Sequence, residues 1–118
     1  MLDGEGAGPA ALSVTFLPAS RMRALNRRSL GDDRTTDVIA FPLVHDGALA
    51  GDIYVCATVA RRAARAHGII EREELLRLVV HGTLHILGYD HPAGRGRTAS
   101  SMWRRQERYV RRLMERGA

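Results

Sequence analysis

The chain has 118 residues, a net charge of +5 and a single cysteine, Cys56. That length allows one hydrophobic core, and one cysteine excludes an internal disulfide, as suits a protein of the reducing cytoplasm. No run approaches the roughly 18 apolar residues of a membrane span, and the glycine-rich, acidic start lacks the basic and apolar regions of a secretory signal. All 18 basic residues are arginine. Genome composition is the ordinary explanation for that choice, yet a small basic domain with clustered arginines also suits a polyanionic partner.

In chain order, residues 1–10 read as a flexible lead-in. Residues 12–17 alternate like a strand stopped by Pro18. Ser20 fits the N-cap of a short helix over 21–30, with Met22 and Leu25 facing inward. Gly31-Asp32-Asp33 is turn chemistry. Residues 36–41 are β-rich and end at Pro42. His45-Asp46-Gly47 then turns the chain into a third strand over 50–56, so the last two strands predict an antiparallel hairpin. The alanine- and arginine-rich stretch 57–67 predicts a helix ended by Gly68, with Ala60, Ala63 and Ala64 allowing close packing. The next helix starts at Glu71, where Glu71, Glu73 and Glu74 complement the positive end of the dipole. A loop spans 92–100, and a last helix runs over about 101–115, burying Met102, Tyr109, Val110, Leu113 and Met114. Its arginines, Arg104, Arg105, Arg108, Arg111 and Arg112, read equally as a solvated face or as phosphate contacts.

The chemistry concentrates in His81-Gly82-Thr83-Leu84-His85-Ile86-Leu87-Gly88-Tyr89-Asp90-His91, which holds three of the five histidines. If the helix continues to Leu87, His81 and His85 share one face with Cβ atoms roughly 5–6 Å apart, a spacing that suits two imidazoles on one metal ion. Gly88 can end the helix in the left-handed conformation, letting the chain turn back so that His91 arrives as a third ligand. Three ligands leave one tetrahedral position open, the layout of a catalytic zinc site rather than a structural one. The spacing is that of the metzincin peptidases, but their general-base glutamate is replaced by Gly82, which argues against a metallopeptidase. A glycine inside a helix either leaves space beside the metal for a bulky substrate or permits a close helix contact. Asp37, Asp52 and Asp90 are the candidate bases or ligand-orienting partners. Cys56 as a fourth ligand would close the site, but it suits a buried strand end.

These residues resemble the YbeY-type bacterial endoribonucleases, the rRNA maturation factors. The histidine motif carries the resemblance almost position by position. Leu25-Asn26, Thr36-Asp37-Val38-Ile39-Ala40-Phe41-Pro42, Gly51-Asp52-Ile53, Met102 and Glu107 support it, over residues 12–115. It implies an α+β, zincin-like single domain over 1–118, with a small mixed sheet packed against helices and one zinc ion held by His81, His85 and His91. It also implies cleavage of single-stranded RNA, a role in 16S rRNA 3′-end maturation and ribosome quality control, and the ribosome as partner. Two departures stand out. Leu30 occupies the position of a family arginine, leaving Arg27 or Arg28 to take its role, with Arg95 and Arg97 as further RNA contacts. The sequence is also shorter at its N-terminus than typical members, where a leading strand and helix are expected to be missing. The alternative function is a non-catalytic ribosome-assembly factor that binds RNA and uses zinc only for stability.

Overall fold

The computed structural model describes residues 10–31, 36–45, 48–87 and 101–116. Three strands, β1 (Ala10–Leu17), β2 (Val38–His45) and β3 (Ala48–Cys56), combine with four helices, α1 (Ala19–Leu30), α2 (Ala57–His67), α3 (Glu71–Ile86) and α4 (Ser101–Arg116). The sheet order is β1-β3-β2. β1 runs parallel to β3, and β2 runs antiparallel to it. The result is a small α+β architecture with a mixed sheet and the predicted hairpin. His45 pairs with Ala48 at the closed end of that hairpin, and the turn residues 46–47 lie outside the described residues, as do most of the turn after Gly31 and residues 1–9 of the expected lead-in, whose last residue, Ala10, instead begins β1.

The sheet is covered on both faces because the pleat sorts its side chains two ways. On one face Ile53 and Val55 form a core with Leu78 and Ile86 of α3 and Ala60 of α2. On the other, Cys56 and Ile39 close over Met22 of α1. A third cluster joins Val80 and Leu84 of α3 to Met102, Tyr109 and Val110 of α4. α3 is therefore apolar on two sides, one toward the sheet and one toward α4, as expected of a helix buried in the middle of a small protein.

Two glycines let α3 lie close on β3, in a reciprocal arrangement. A Cβ at Gly51 of β3 would run into the Ile86 side chain of α3, and a Cβ at Gly82 of α3 would lie 2.9 Å from Cγ2 of Ile53 in β3. Each glycine thus receives an isoleucine from the opposite element. This supports the close-contact reading of Gly82: the space a Cβ would take is filled by Ile53.

Two expectations are corrected. Ser20 is not an N-cap, because the helix begins earlier: Pro18 occupies the cap with φ −67° and ψ 160°, without a side-chain hydrogen bond. Its carbonyl already accepts the Met22 N–H at 3.0 Å. Pro42 does not end its strand either; it pairs in register with Gly51, and β2 continues to His45. β2 is an outer strand, where a residue with no N–H to donate can leave that position facing away from its partner. At the helix ends, Gly31 and Gly68 adopt the left-handed conformation, φ 71° and 67°, the role expected of glycine at such stops.

Candidate metal centre

α3 continues past Val80 to Ile86 and ends at Leu87, whose N–H donates to the Thr83 carbonyl at 3.0 Å. That continuity puts His81 and His85 one turn apart on the same side. Their Nε2 atoms converge to 3.0 Å, with the rings edge to face at 75°. Both histidines are half-buried. They line a cleft of about 300 Å³ together with Gly82 and with Val38, Ile39, Ala40 and Pro42 of β2. The cleft therefore runs between the histidine side of α3 and the outer strand of the sheet.

The protonation pattern of the pair follows from its neighbours. His81 Nδ1 lies 2.7 Å from Oε1 of Gln106 on α4. The Gln106 amide is oriented by its other end, where Nε2 donates to Glu107 Oε2 at 3.1 Å. A carboxylate can only accept, so the NH2 group must face Glu107 and the oxygen must face His81. His81 Nδ1 therefore donates to Gln106, and in the neutral ring this directs the Nε2 lone pair at His85. A nitrogen lone pair at that distance from a second ring nitrogen requires a proton or a cation between them.

Glu107 is itself held by Arg77, one turn before His81. Arg77 donates from Nε to Oε2 and from its terminal nitrogen to Oε1, both at 2.8 Å, the two-pronged geometry favoured by guanidinium and carboxylate. It also reaches Glu73 and Glu74 at 3.1 Å. Burial acts to raise the Glu107 pKa, but hydrogen bonds from Arg77 and Gln106, with the charges of Arg77 and Arg111, outweigh it and hold the carboxyl below its usual range. For Arg77, the hydrogen bond to Glu107 leads the causes that raise its pKa, against the opposing effect of burial.

The arrangement fits a metal ion as far as the described residues extend. Zinc–nitrogen distances of about 2.0–2.1 Å at a tetrahedral angle separate two ligand nitrogens by about 3.3 Å, and the observed separation is 3.0 Å. Among the described residues no group of three or more His, Cys, Asp or Glu side chains is placed to hold a metal. The third histidine of the motif, His91, lies outside them, with Gly88, Asp90, Arg95 and Arg97.

The remaining candidates are placed as follows. Asp37 immediately precedes β2, next to cleft-lining Val38, and its carbonyl accepts the Cys56 N–H at 2.9 Å. Asp52 alternates with Gly51 and Ile53, so it projects from the sheet face opposite α3, where its Oδ1 accepts from Ser13 Oγ at 2.6 Å. Cys56 is buried on that same far face with Met22 and Ile39. Arg27 and Arg28 are exposed in the last turn of α1. Gln106 is absent from the sequence-derived candidates. Its one signal is a polar residue within the apolar stripe Met102, Tyr109, Val110 and Leu113 of α4, where it is 5% exposed.

Fold and site together define a class: a small α+β protein whose helix presents an H-x3-H pair to a cleft beside an outer strand. Residues 3–114 match the family model described as Endoribonuclease YbeY, and the chain belongs to that family. It is 35% identical over 103 residues to Endoribonuclease YbeY of Thermotoga maritima, covering 87% of this chain and 67% of that protein. Its identity to the protein of the same name from Chlorobaculum tepidum is 33% over 113 residues, covering 96% and 81%. For that from Alkalilimnicola ehrlichii it is 42% over 96 residues, covering 76% and 58%. Among these relatives the chain thus spans from little more than half of the length to about four-fifths. A solution structure of a Thermotoga maritima protein superposes with a TM-score of 0.64 at 34% identity, covering 91% of this chain and 70% of that one. Among the described residues, no helix is long and apolar enough to cross a membrane.

Proposed function

We propose that the chain is a metal-dependent endoribonuclease that cleaves single-stranded RNA, with a zincin-like site in which His81, His85 and His91 would hold one zinc ion. The observation that carries this reading is the convergence of two Nε2 atoms at 3.0 Å in a cleft, within a chain whose relatives are named endoribonucleases. When bound, zinc supplies Lewis-acid polarisation of a phosphoryl oxygen and acidification of water.

The chain's own residues supply the rest. His81 and His85 present their Nε2 atoms at the cleft, with Gln106 holding the His81 ring. Val38, Ala40 and Pro42, on the sheet face toward α3, form an apolar wall along an outer strand, which suits an extended single strand better than a duplex. Among the described residues no carboxylate lines the cleft. The proton-accepting role is assigned to Asp37, one residue from that wall, or Asp90, one residue before His91; Asp52 faces away. Arg27, Arg28, Arg95 and Arg97 are the proposed contacts to the RNA backbone, where each phosphate neutralised adds salt-sensitive affinity. In this reading the substrate is rRNA, matured at the 16S 3′ end and checked on the ribosome, in the cytoplasm.

The test is cleavage of a single-stranded RNA with and without a chelator, by the wild type and by His85→Ala. Cleavage is expected to stop in both the chelated protein and the variant. Undiminished cleavage by a folded, metal-free His85→Ala protein would overturn the enzyme reading. RNA binding without any cleavage by the zinc-loaded wild type would favour the assembly-factor alternative.

A further inference from the structure

We infer that Gln106 is a positioning residue for the metal centre: its side-chain carbonyl, oriented by the Arg77–Glu107 pair, fixes the tautomer and ring of His81 so that Nε2 is presented as a ligand. This rests on the proposed reading of His81 as a metal ligand.

The chain of contacts is continuous and each link has one possible direction. Arg77 can only donate, so both of its short bonds to Glu107 lock the carboxylate in place. Glu107 can only accept, so it draws the Gln106 NH2 group toward itself. That turns Oε1 toward His81, where it accepts the Nδ1 proton at 2.7 Å. The amide alone would be ambiguous, since a half-turn exchanges its oxygen and nitrogen; the ion pair removes the ambiguity. Gln106 is 5% exposed on the apolar side of α4, where an uncompensated amide would be costly. Its burial is thus explained by the two partners it joins. Arg77 and His81 are successive residues of one α3 stripe, and Gln106 and Glu107 are adjacent on α4. The ion pair therefore also fixes the register in which α4 delivers Gln106 to the histidine. Hydrogen bonds of this kind to the ring nitrogen away from the metal orient histidine ligands and raise their affinity.

The experiment compares wild type with Gln106→Leu, which is one atom shorter and removes both the acceptor for His81 and the donor to Glu107. Two readouts are taken. The first is zinc affinity by competition with a chromogenic chelator, with thermal melts to confirm folding. The second is the His81 tautomer in the metal-free protein, from ¹⁵N-histidine spectra at about pH 8, above the ordinary histidine range. Gln106→Leu is expected to lose zinc affinity by about 10–100-fold, on the scale of lost ligand-orienting hydrogen bonds. The wild type should show the proton on His81 Nδ1, and Gln106→Leu should lose that preference. A folded Gln106→Leu protein with wild-type zinc affinity would overturn the inference. So would a wild-type His81 protonated on Nε2, a result that needs no variant to fold. Failure of the wild type to bind zinc at all would instead overturn the proposed function, while the tautomer would still report on Gln106.

Discussion

Replacing Gly82 by alanine sets two opposing effects against each other, and the geometry decides which wins. Alanine is favoured over glycine inside a helix by about 1 kcal/mol, so at an open position Gly82→Ala would stabilise. Here the new methyl would lie 2.9 Å from Ile53 Cγ2 and 3.4 Å from Cγ1, against ordinary carbon contacts of about 3.5–4.0 Å. Ile53 is 0% exposed in the central strand, and Cγ2 is attached to a β-branched carbon with a stiff χ1, so the methyl cannot swing away. Overpacking of this kind costs about 1–3 kcal/mol. Set against the propensity gain of about 1 kcal/mol, this leaves a net loss of about 1 kcal/mol, or roughly 3–6 °C in Tm for a chain of this size. The assay is urea unfolding followed by circular dichroism, for Gly82→Ala in the wild type and in an Ile53→Ala background. In the second background the obstructing carbons are gone, and the alanine should become favourable by up to about 1 kcal/mol. The coupling between the two sites should therefore approach about 2 kcal/mol, within the range for residues in contact. Equal effects of Gly82→Ala in both backgrounds, or stabilisation in the wild type, would refute the claim that Gly82 exists to receive Ile53.

Two further outcomes are expected. Glu107 has a folded-state pKa below its unfolded value, so its contribution to stability is fully present above about pH 4.3, the ordinary glutamate value, and is lost as pH falls through the lower folded value. The stability gap between wild type and Glu107→Gln, from urea unfolding between pH 6 and pH 3, should hold steady at the upper end and close toward acid; a gap that widens in acid would contradict the Arg77 pairing. Asp52→Asn should leave RNA cleavage within about twofold of wild type, whereas a loss of about 100-fold or more, the scale of a removed general base, would reinstate Asp52 in the chemistry.

The elements were legible in sequence because each is written in local terms. α2 and its Gly68 stop emerge where an alanine-rich stretch predicts them, and α3 and α4 follow their periodicity to within a residue or two. The errors fell where tertiary position overrides local rules. Pro42 is disruptive in a strand paired along both edges, and sequence does not say that β2 is outermost. Ser20 is a good cap in isolation, but Pro18 starts the helix first. The same distinction divides the site. His81 and His85 are legible because their geometry is set by one helix, whose pitch is fixed. Gln106 depends on how α4 lies against α3, which is decided by Val80 and Leu84 packing on Met102, Tyr109 and Val110 and by the Arg77–Glu107 pair. An i,i+4 repeat can thus reveal where two imidazoles converge, but which nitrogen each presents is settled by packing between helices. Gln106 joins those two levels, because the ion pair that sets its amide also helps hold the helices in register.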